Sequence, residues 1–322
     1  MNVDKSNMLK AIEDFAHQCK TAFELVKGVS VLGKIDKIVV CGMGGSAVGG
    51  DLLKICLKDS KIPVFVIKEY DIPNFIDDKT LLFAVSYSGN TEETLSAFSQ
   101  AKKKNAKIVA ITSNGDLATF SQKVIKVPAG LQPRAALGYL FFPMVGVLSN
   151  SNLIEIKEKD IEEMLSMLSK TDDFKQEAQK LAKKIHGKIP LIYSSQTLYP
   201  VAYRWKTQLN ENSKIPAFSH SFPEMNHNEI VGYQGMDKGK FISILIRDNE
   251  DNERIKKRMD IIKEMIKSRV DVEEVITKGN SLLSRMFYAI YLGDFTSYYL
   301  ALENNVDPTP VVVIENLKKR LS

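Results

Sequence analysis

The sequence predicts an α/β protein built as two doubly wound parallel-sheet lobes, each with a three-layer α/β/α arrangement. Three observations predict it. Short apolar runs of strand length recur along the chain, helix-like segments separate them, and the same plan occurs twice. Strands that alternate with helices need crossover connections, and such connections give parallel sheets covered on both faces.

In the first block the predicted strands are 37–41, 64–67, 80–85, 107–112 and 123–127. Helical patterns fall at 46–57, 91–105 and 135–148. The stretch 137–148 is the most apolar in the chain, but it is shorter than the ~18 residues that would cross a bilayer, so it reads as a buried helix. In the second block the strand-like runs are 189–194, 240–246 and 270–276, with helices expected at 200–210, 252–268 and 281–304. Ile255, Met259, Ile262 and Ile266 form a stripe at helical spacing, which is a core-facing pattern. The polar stretch 149–152 and the charged helical segment up to His186 read as a connector. The expected division is therefore 1–152 and 153–322. The tail, 308–322, reads as an extended segment followed by a short basic helix.

Composition excludes several classes. Lysine and arginine (44) nearly balance aspartate and glutamate (39), an excess too small to argue for nucleic-acid binding. The first 20 residues lack the basic flank and apolar run of a signal peptide. Cys19, Cys41 and Cys56 are odd in number and have no C-x-x-C spacing, so neither a disulfide framework nor a zinc site is implied. A reducing cytoplasm is the expected location. The histidines lack H-x-H or H-E-x-x-H spacing, so no metal and no other cofactor is expected.

Two loops carry the functional reading. Gly42-Met-Gly-Gly-Ser46 follows the first strand and opens a helix, where free N–H groups and the helix dipole favour an anion. Packing glycines would explain it equally, and Gly42, Gly44 and Ala47 with Glu69 also fit a dinucleotide fingerprint. The third strand runs into Ser86-Tyr-Ser-Gly-Asn-Thr91. Three hydroxyls at one helix start suit a phosphate monoester. A helix cap accounts for one of them and leaves Ser86 and the glycine unexplained. Two such loops on neighbouring strands fit a sugar phosphate; a dinucleotide reader has no need of the second.

The S-x-S-G-x-T loop resembles the phosphate loop of sugar-isomerase (SIS) domains, and the whole chain resembles two such domains. Further motifs narrow the match: Pro133-Arg134 before an apolar helix, Asn210-Glu211-Asn212, Pro223-Glu-Met-Asn-His-Asn-Glu229, and the ending Asp307-Pro-Thr-Pro with Leu317-Lys318. In that order they resemble the bifunctional phosphoglucose/phosphomannose isomerase family. The resemblance implies an aldose–ketose isomerase that interconverts glucose 6-phosphate and mannose 6-phosphate with fructose 6-phosphate. It implies that Gly45, Ser46, Ser86, Ser88 and Thr91 hold the phosphate, and that Glu211 moves the proton between C1 and C2. His227 would assist ring opening from the other subunit of a homodimer, and Lys318 would act with it. Arg134 would stabilise the enediolate.

The chemistry accepts these residue types. A carboxylate can take a proton from one carbon and return it to the next. Glu211 falls at an expected helix C-terminus, whose negative end disfavours a second negative charge. An arginine stabilises developing negative charge, and Arg134 at a helix start is placed against the dipole, which calls for a reason. Taken without the resemblance, Glu211 reads as a solvated helix end, Lys318 as part of a basic face, and His220 as an equal rival to His227. The alternatives are an amino-sugar phosphate isomerase, a sugar-phosphate-binding regulator and, more distantly, a nucleotide-dependent oxidoreductase.

Overall fold

The computed structural model describes residues 3–321. The chain forms two compact units, Asp14–Leu165 and Met1–Glu13 with Ser166–Ser322.

The first unit holds a five-stranded sheet in the order β2-β1-β3-β4-β5. The strands are β1 (Lys37–Cys41), β2 (Val64–Ile67), β3 (Thr80–Val85), β4 (Lys107–Thr112) and β5 (Val124–Lys126). Every pairing is parallel. All of β3 is buried, as a near-continuous apolar run in the middle of a parallel sheet must be. The chain order puts α1 (Met8–Glu13) before α2 (Phe15–Leu25), α3 (Gly44–Cys56), α4 (Glu92–Lys103), α5 (Gly115–Phe120) and α6 (Leu137–Asn150). α6 is buried from Leu137 to Leu148, and it packs between α2 and α3. A helix apolar on all sides has no other stable place.

The second unit holds a four-stranded parallel sheet in the order β7-β6-β8-β9. Its strands are β6 (Ile189–Ser195), β7 (Phe218–Phe222), β8 (Phe241–Arg247) and β9 (Asp271–Ile276). The helices after α6 are α7 (Glu158–Leu168), α8 (Thr171–Ile185), α9 (Tyr199–Glu211), α10 (Glu253–Ile266), α11 (Leu282–Glu303) and α12 (Val312–Leu321). α8 and α9 both pack on α11 in one layer. α10 lies in the other layer, where Met259, Ile262 and Ile266 of the expected stripe meet Leu191, Tyr193 and Leu245 of the sheet.

Two features depart from the expectation. α8 is a core element rather than a connector: Phe174, Ala178, Leu181, Ala182 and Ile185 are buried on one face against α11. Its many lysines occupy only the other face. β7 was not foreseen. Its sequence, Phe-Ser-His-Ser-Phe, has no apolar run, because it is the edge strand and only its last two residues are buried. The tail forms the expected basic helix, α12, and none of its residues is buried.

Candidate active site

In the first unit β1 and β3 are neighbours, so the two loops that leave their carboxyl ends lie side by side. That edge, between β1 and β3 where the strand order reverses, is where open α/β sheets bind ligands. α3 begins at Gly44 and α4 at Glu92, with Met43 and Thr91 as extended cap residues. Both helices present first-turn N–H groups to this edge.

The hydroxyls are brought together. Ser86 Oγ and Thr91 Oγ1 are 2.9 Å apart, and Gly89 N donates to Ser86 Oγ at 3.1 Å. Tyr87 N donates to Ser46 Oγ at 3.4 Å, which joins the second loop to the first. Ser46 and Ser86 are buried, whereas Ser88 is exposed and accepts from Asn90 N at 3.4 Å. Gly89, unexplained by a helix cap, has a plain reason. Its φ is +76°, and a Cβ there would lie 1.8 Å from the Asn114 carbonyl oxygen.

Arg134 joins the same site. It sits in a 3-10 turn, Pro133–Ala135, just before α6, and its side chain is buried. Gly45 lies against the backbone of this turn, so that an added Cβ would stand 3.1 Å from Arg134 N and Cα. Tyr87, which the sequence reading passed over, fastens the approach to the turn. Its hydroxyl donates to the Pro128 carbonyl at 2.8 Å and accepts from Leu131 N at 3.0 Å. Burial raises the Tyr87 phenol above its ordinary pKa, which keeps it a neutral donor.

Glu211 is the last residue of α9, as expected. The motif around it is structural support. Asn210 Nδ2 donates to the Ile215 carbonyl at 2.9 Å, Asn212 Nδ2 to Ser297 Oγ at 2.9 Å, and Ser213 Oγ to the Ser297 carbonyl at 2.7 Å. One and two turns earlier, Gln208 Nε2 and Arg204 Nη2 each donate to Asp294 of α11 at 2.8 Å. Lys214, in a left-handed conformation (φ 59°), donates to the carbonyls of Glu211 and Pro308. A lysine there caps the negative helix end. Glu211 borders a cleft of about 690 Å³, lined also by Ile215, Val306 and the first turn of α12. Lys318 lies further along α12 and is exposed.

His227 does not join Glu211 within one chain. α9 leaves the carboxyl edge of β6 and brings Glu211 back to the amino edge, where β7 begins beside Leu191. His227 follows β7 at the carboxyl edge, in a 3-10 turn, Glu224–His227. β7 alone separates these edges by roughly 15–17 Å. The residues also belong to different layers: α9 packs with α11, whereas Met225 and Tyr233, on either side of His227, pack with α10 residues. The rival, His220, is half-buried in β7, where its Nδ1 accepts from Ser221 N at 2.7 Å.

The second sheet also carries buried hydroxyls at its carboxyl edge: Leu198 N donates to Ser195 Oγ at 3.4 Å where α9 begins, and Ser221 Oγ donates to Gln196 Oε1 at 2.7 Å. Where the first sheet has a serine loop after β3, β8 is followed by buried Asp248, whose carboxylate pairs with Arg285 at 2.8 Å. Burial raises the nearby Asp251 carboxyl. Among the described residues no three His, Cys, Asp or Glu side chains gather as a metal-ligand set.

Comparison with known proteins agrees with two such domains. Residues 32–140 match the SIS domain, and residues 174–321 match the bacterial phospho-glucose isomerase C-terminal SIS domain. A bifunctional phosphoglucose/phosphomannose isomerase of Caldicellulosiruptor bescii is 45% identical, with 98% of this chain and 99% of the relative covered. The chain belongs to the bifunctional phosphoglucose/phosphomannose isomerase family. A D-glucosamine-6-phosphate 4-epimerase of Sulfolobus acidocaldarius is also similar, at 31% identity over 88% of this chain and 89% of that protein. Among solved structures, a hypothetical protein of Thermus thermophilus has the same fold, with a TM-score of 0.74, 15% identity and coverage of 99% of this chain and 91% of that one.

Proposed function

We propose that the protein interconverts glucose 6-phosphate and mannose 6-phosphate with fructose 6-phosphate. The observation that carries this reading is the gathering of Ser46, Ser86 and Thr91, with Arg134, at the ends of β1 and β3. The phosphate monoester takes its hydrogen bonds from the hydroxyls of Ser46, Ser86, Ser88 and Thr91 and from N–H groups at the α3 and α4 N-termini, Gly45 among them. The Glu211 carboxylate removes the proton from C2 of the open-chain aldose and returns it to C1 of the enediolate, while the O2 hydroxyl proton passes to O1, which leaves the ketose. Taking the proton from either C2 epimer gives the same enediolate, so one base can serve both aldoses. The Arg134 guanidinium stabilises the enediolate oxygens. His227 and Lys318 assist ring opening by moving a proton at the ring oxygen.

The separation of Glu211 from His227 within one chain supports a homodimer in which His227 completes the neighbouring subunit's site. No described helix is long and apolar enough to cross a membrane, and a cytoplasmic enzyme without nucleic-acid partners is the setting that fits the charge balance and unpaired cysteines.

The test is formation of fructose 6-phosphate from each aldose phosphate by EDTA-treated protein, followed by subunit mixing. Glu211→Gln should be inactive alone and His227→Ala strongly but measurably slowed, and the two should recover activity as a mixed dimer. Turnover of one sugar only would remove the dual specificity. Failure of the mixture to recover would remove the shared site and leave the rest standing.

A further inference from the structure

His227 stands on an exposed turn, yet the segment that carries it is fastened at several points. Asn228 Nδ2 donates to Glu224 Oε1 at 2.9 Å, and Arg258 Nη1 of α10 to Asn226 Oδ1 at 3.3 Å. The deepest fastening starts two residues after His227. Tyr193 OH, from β6, donates to Glu229 Oε1 at 2.5 Å. Tyr233 OH in turn donates to Tyr193 OH at 2.8 Å and lies 2.9 Å from Ser243 Oγ of β8. Tyr193 and Tyr233 are buried, with 1% and 3% exposure, while Glu229 reaches the surface.

The sense of this chain is set at its end. A carboxylate only accepts, so Tyr193 must donate to Glu229 and receive from Tyr233. Buried hydroxyls left without an acceptor are costly, and linked hydrogen bonds polarise one another. The turn at 224–227 is short, and Met225 is its one buried residue. Its geometry is therefore governed by what holds its two ends, β7 on one side and Glu229 on the other.

We propose that Glu229 is a positioning residue that holds His227 for the reaction, acting through Tyr193 and Tyr233. This rests on the reading of His227 as the group that assists ring opening. Glu229 does not touch the sugar phosphate. Its carboxylate locks the turn to the central strands, so that the imidazole meets the neighbouring subunit at one angle.

The experiment measures kcat and KM on fructose 6-phosphate for Glu229→Ala, Glu229→Gln, Tyr193→Phe, His227→Ala and the double variant Glu229→Ala/His227→Ala. Tyr193→Phe keeps the buried ring and removes only the hydroxyl, which guards against loss of the fold. Glu229→Ala and Tyr193→Phe should lower kcat about tenfold with KM within about threefold, because the phosphate loops are untouched. Glu229→Gln retains an acceptor oxygen and should stay within about threefold of the wild type. The double variant should be no slower than His227→Ala, since both changes remove one function. A double variant slower than His227→Ala by the whole Glu229→Ala factor overturns the proposal, and so does a fully active Tyr193→Phe. If His227→Ala keeps wild-type kcat, the assignment of His227 fails and the proposal falls with it. The two failures are read from different variants.

Discussion

Asp294 offers a severe test of how α9 is held. Its carboxylate, 5% exposed, accepts from Arg204 and Gln208 at 2.8 Å each, and Arg204 is itself 2% exposed. Asp294→Ala would leave a guanidinium buried without its counter-charge, which costs about 3–5 kcal/mol. For a unit of this size that lowers Tm by roughly 6–20 °C. Replacing both partners with apolar residues has the opposite logic. Arg204→Met/Asp294→Leu removes the desolvation cost along with the attraction but leaves the buried Gln208 amide without its acceptor, about 1–3 kcal/mol, so it should lie within about 3 kcal/mol of the wild type and above the single variant. Urea unfolding of the wild type, the single variant and the double variant measures these differences. The double variant should also keep activity, because Asn212 and Ser213 still tie the end of α9 to Ser297. A single variant within about 1 kcal/mol of wild type would refute the buried-pair argument. A double variant as unstable as the single one would refute the claim that burial offsets the attraction.

The other predictions follow from close packing and buried thiols. At Gly293 an added Cβ would lie 2.4 Å from the Trp205 indole nitrogen, which donates to the Ala289 carbonyl. Gly293→Ala should therefore destabilise by about 1–2 kcal/mol in urea unfolding, the overpacking cost less the gain in helix propensity. Gly45→Ala should push the Pro133–Arg134 backbone by a few tenths of an ångström and lower kcat about tenfold in a steady-state assay. Burial pushes the Cys41 thiol up to about 12 and raises Cys19 as well. Their folded-state pKa values lie above those of the unfolded chain, so their contribution is complete below about pH 8.5 and is lost as pH rises toward the folded values. Unfolding free energy should fall over that range, and iodoacetamide should modify both thiols slowly at about pH 7 until urea exposes them.

Much of the architecture could be read from residue patterns, for physical reasons that differ between elements. β3 and α6 are buried on all sides, and such elements write themselves as continuous apolar runs. β7 is an edge strand with polar residues facing outward, so no run marks it. α8 hides a buried face beneath lysines, and overall charge made it look like a connector. That the two loops lie side by side was legible because each follows a buried strand and opens a helix. Tyr87 and Gln208 were not, since their role comes from contacts made across the fold. Nor could the sequence show that Glu211 and His227 lie at opposite edges of one sheet, which only the parallel pairing of β6 and β7 reveals.

The central claim is that Glu211 moves a proton between C1 and C2. Fructose 6-phosphate incubated with the enzyme in heavy water, and followed by proton NMR, tests it directly. The account predicts that the wild type incorporates deuterium at C2 of the aldose phosphates it forms and that Glu211→Gln, folded to the same urea midpoint, incorporates none. Exchange by Glu211→Gln at a rate near that of the wild type would contradict it, and the base would have to be sought elsewhere.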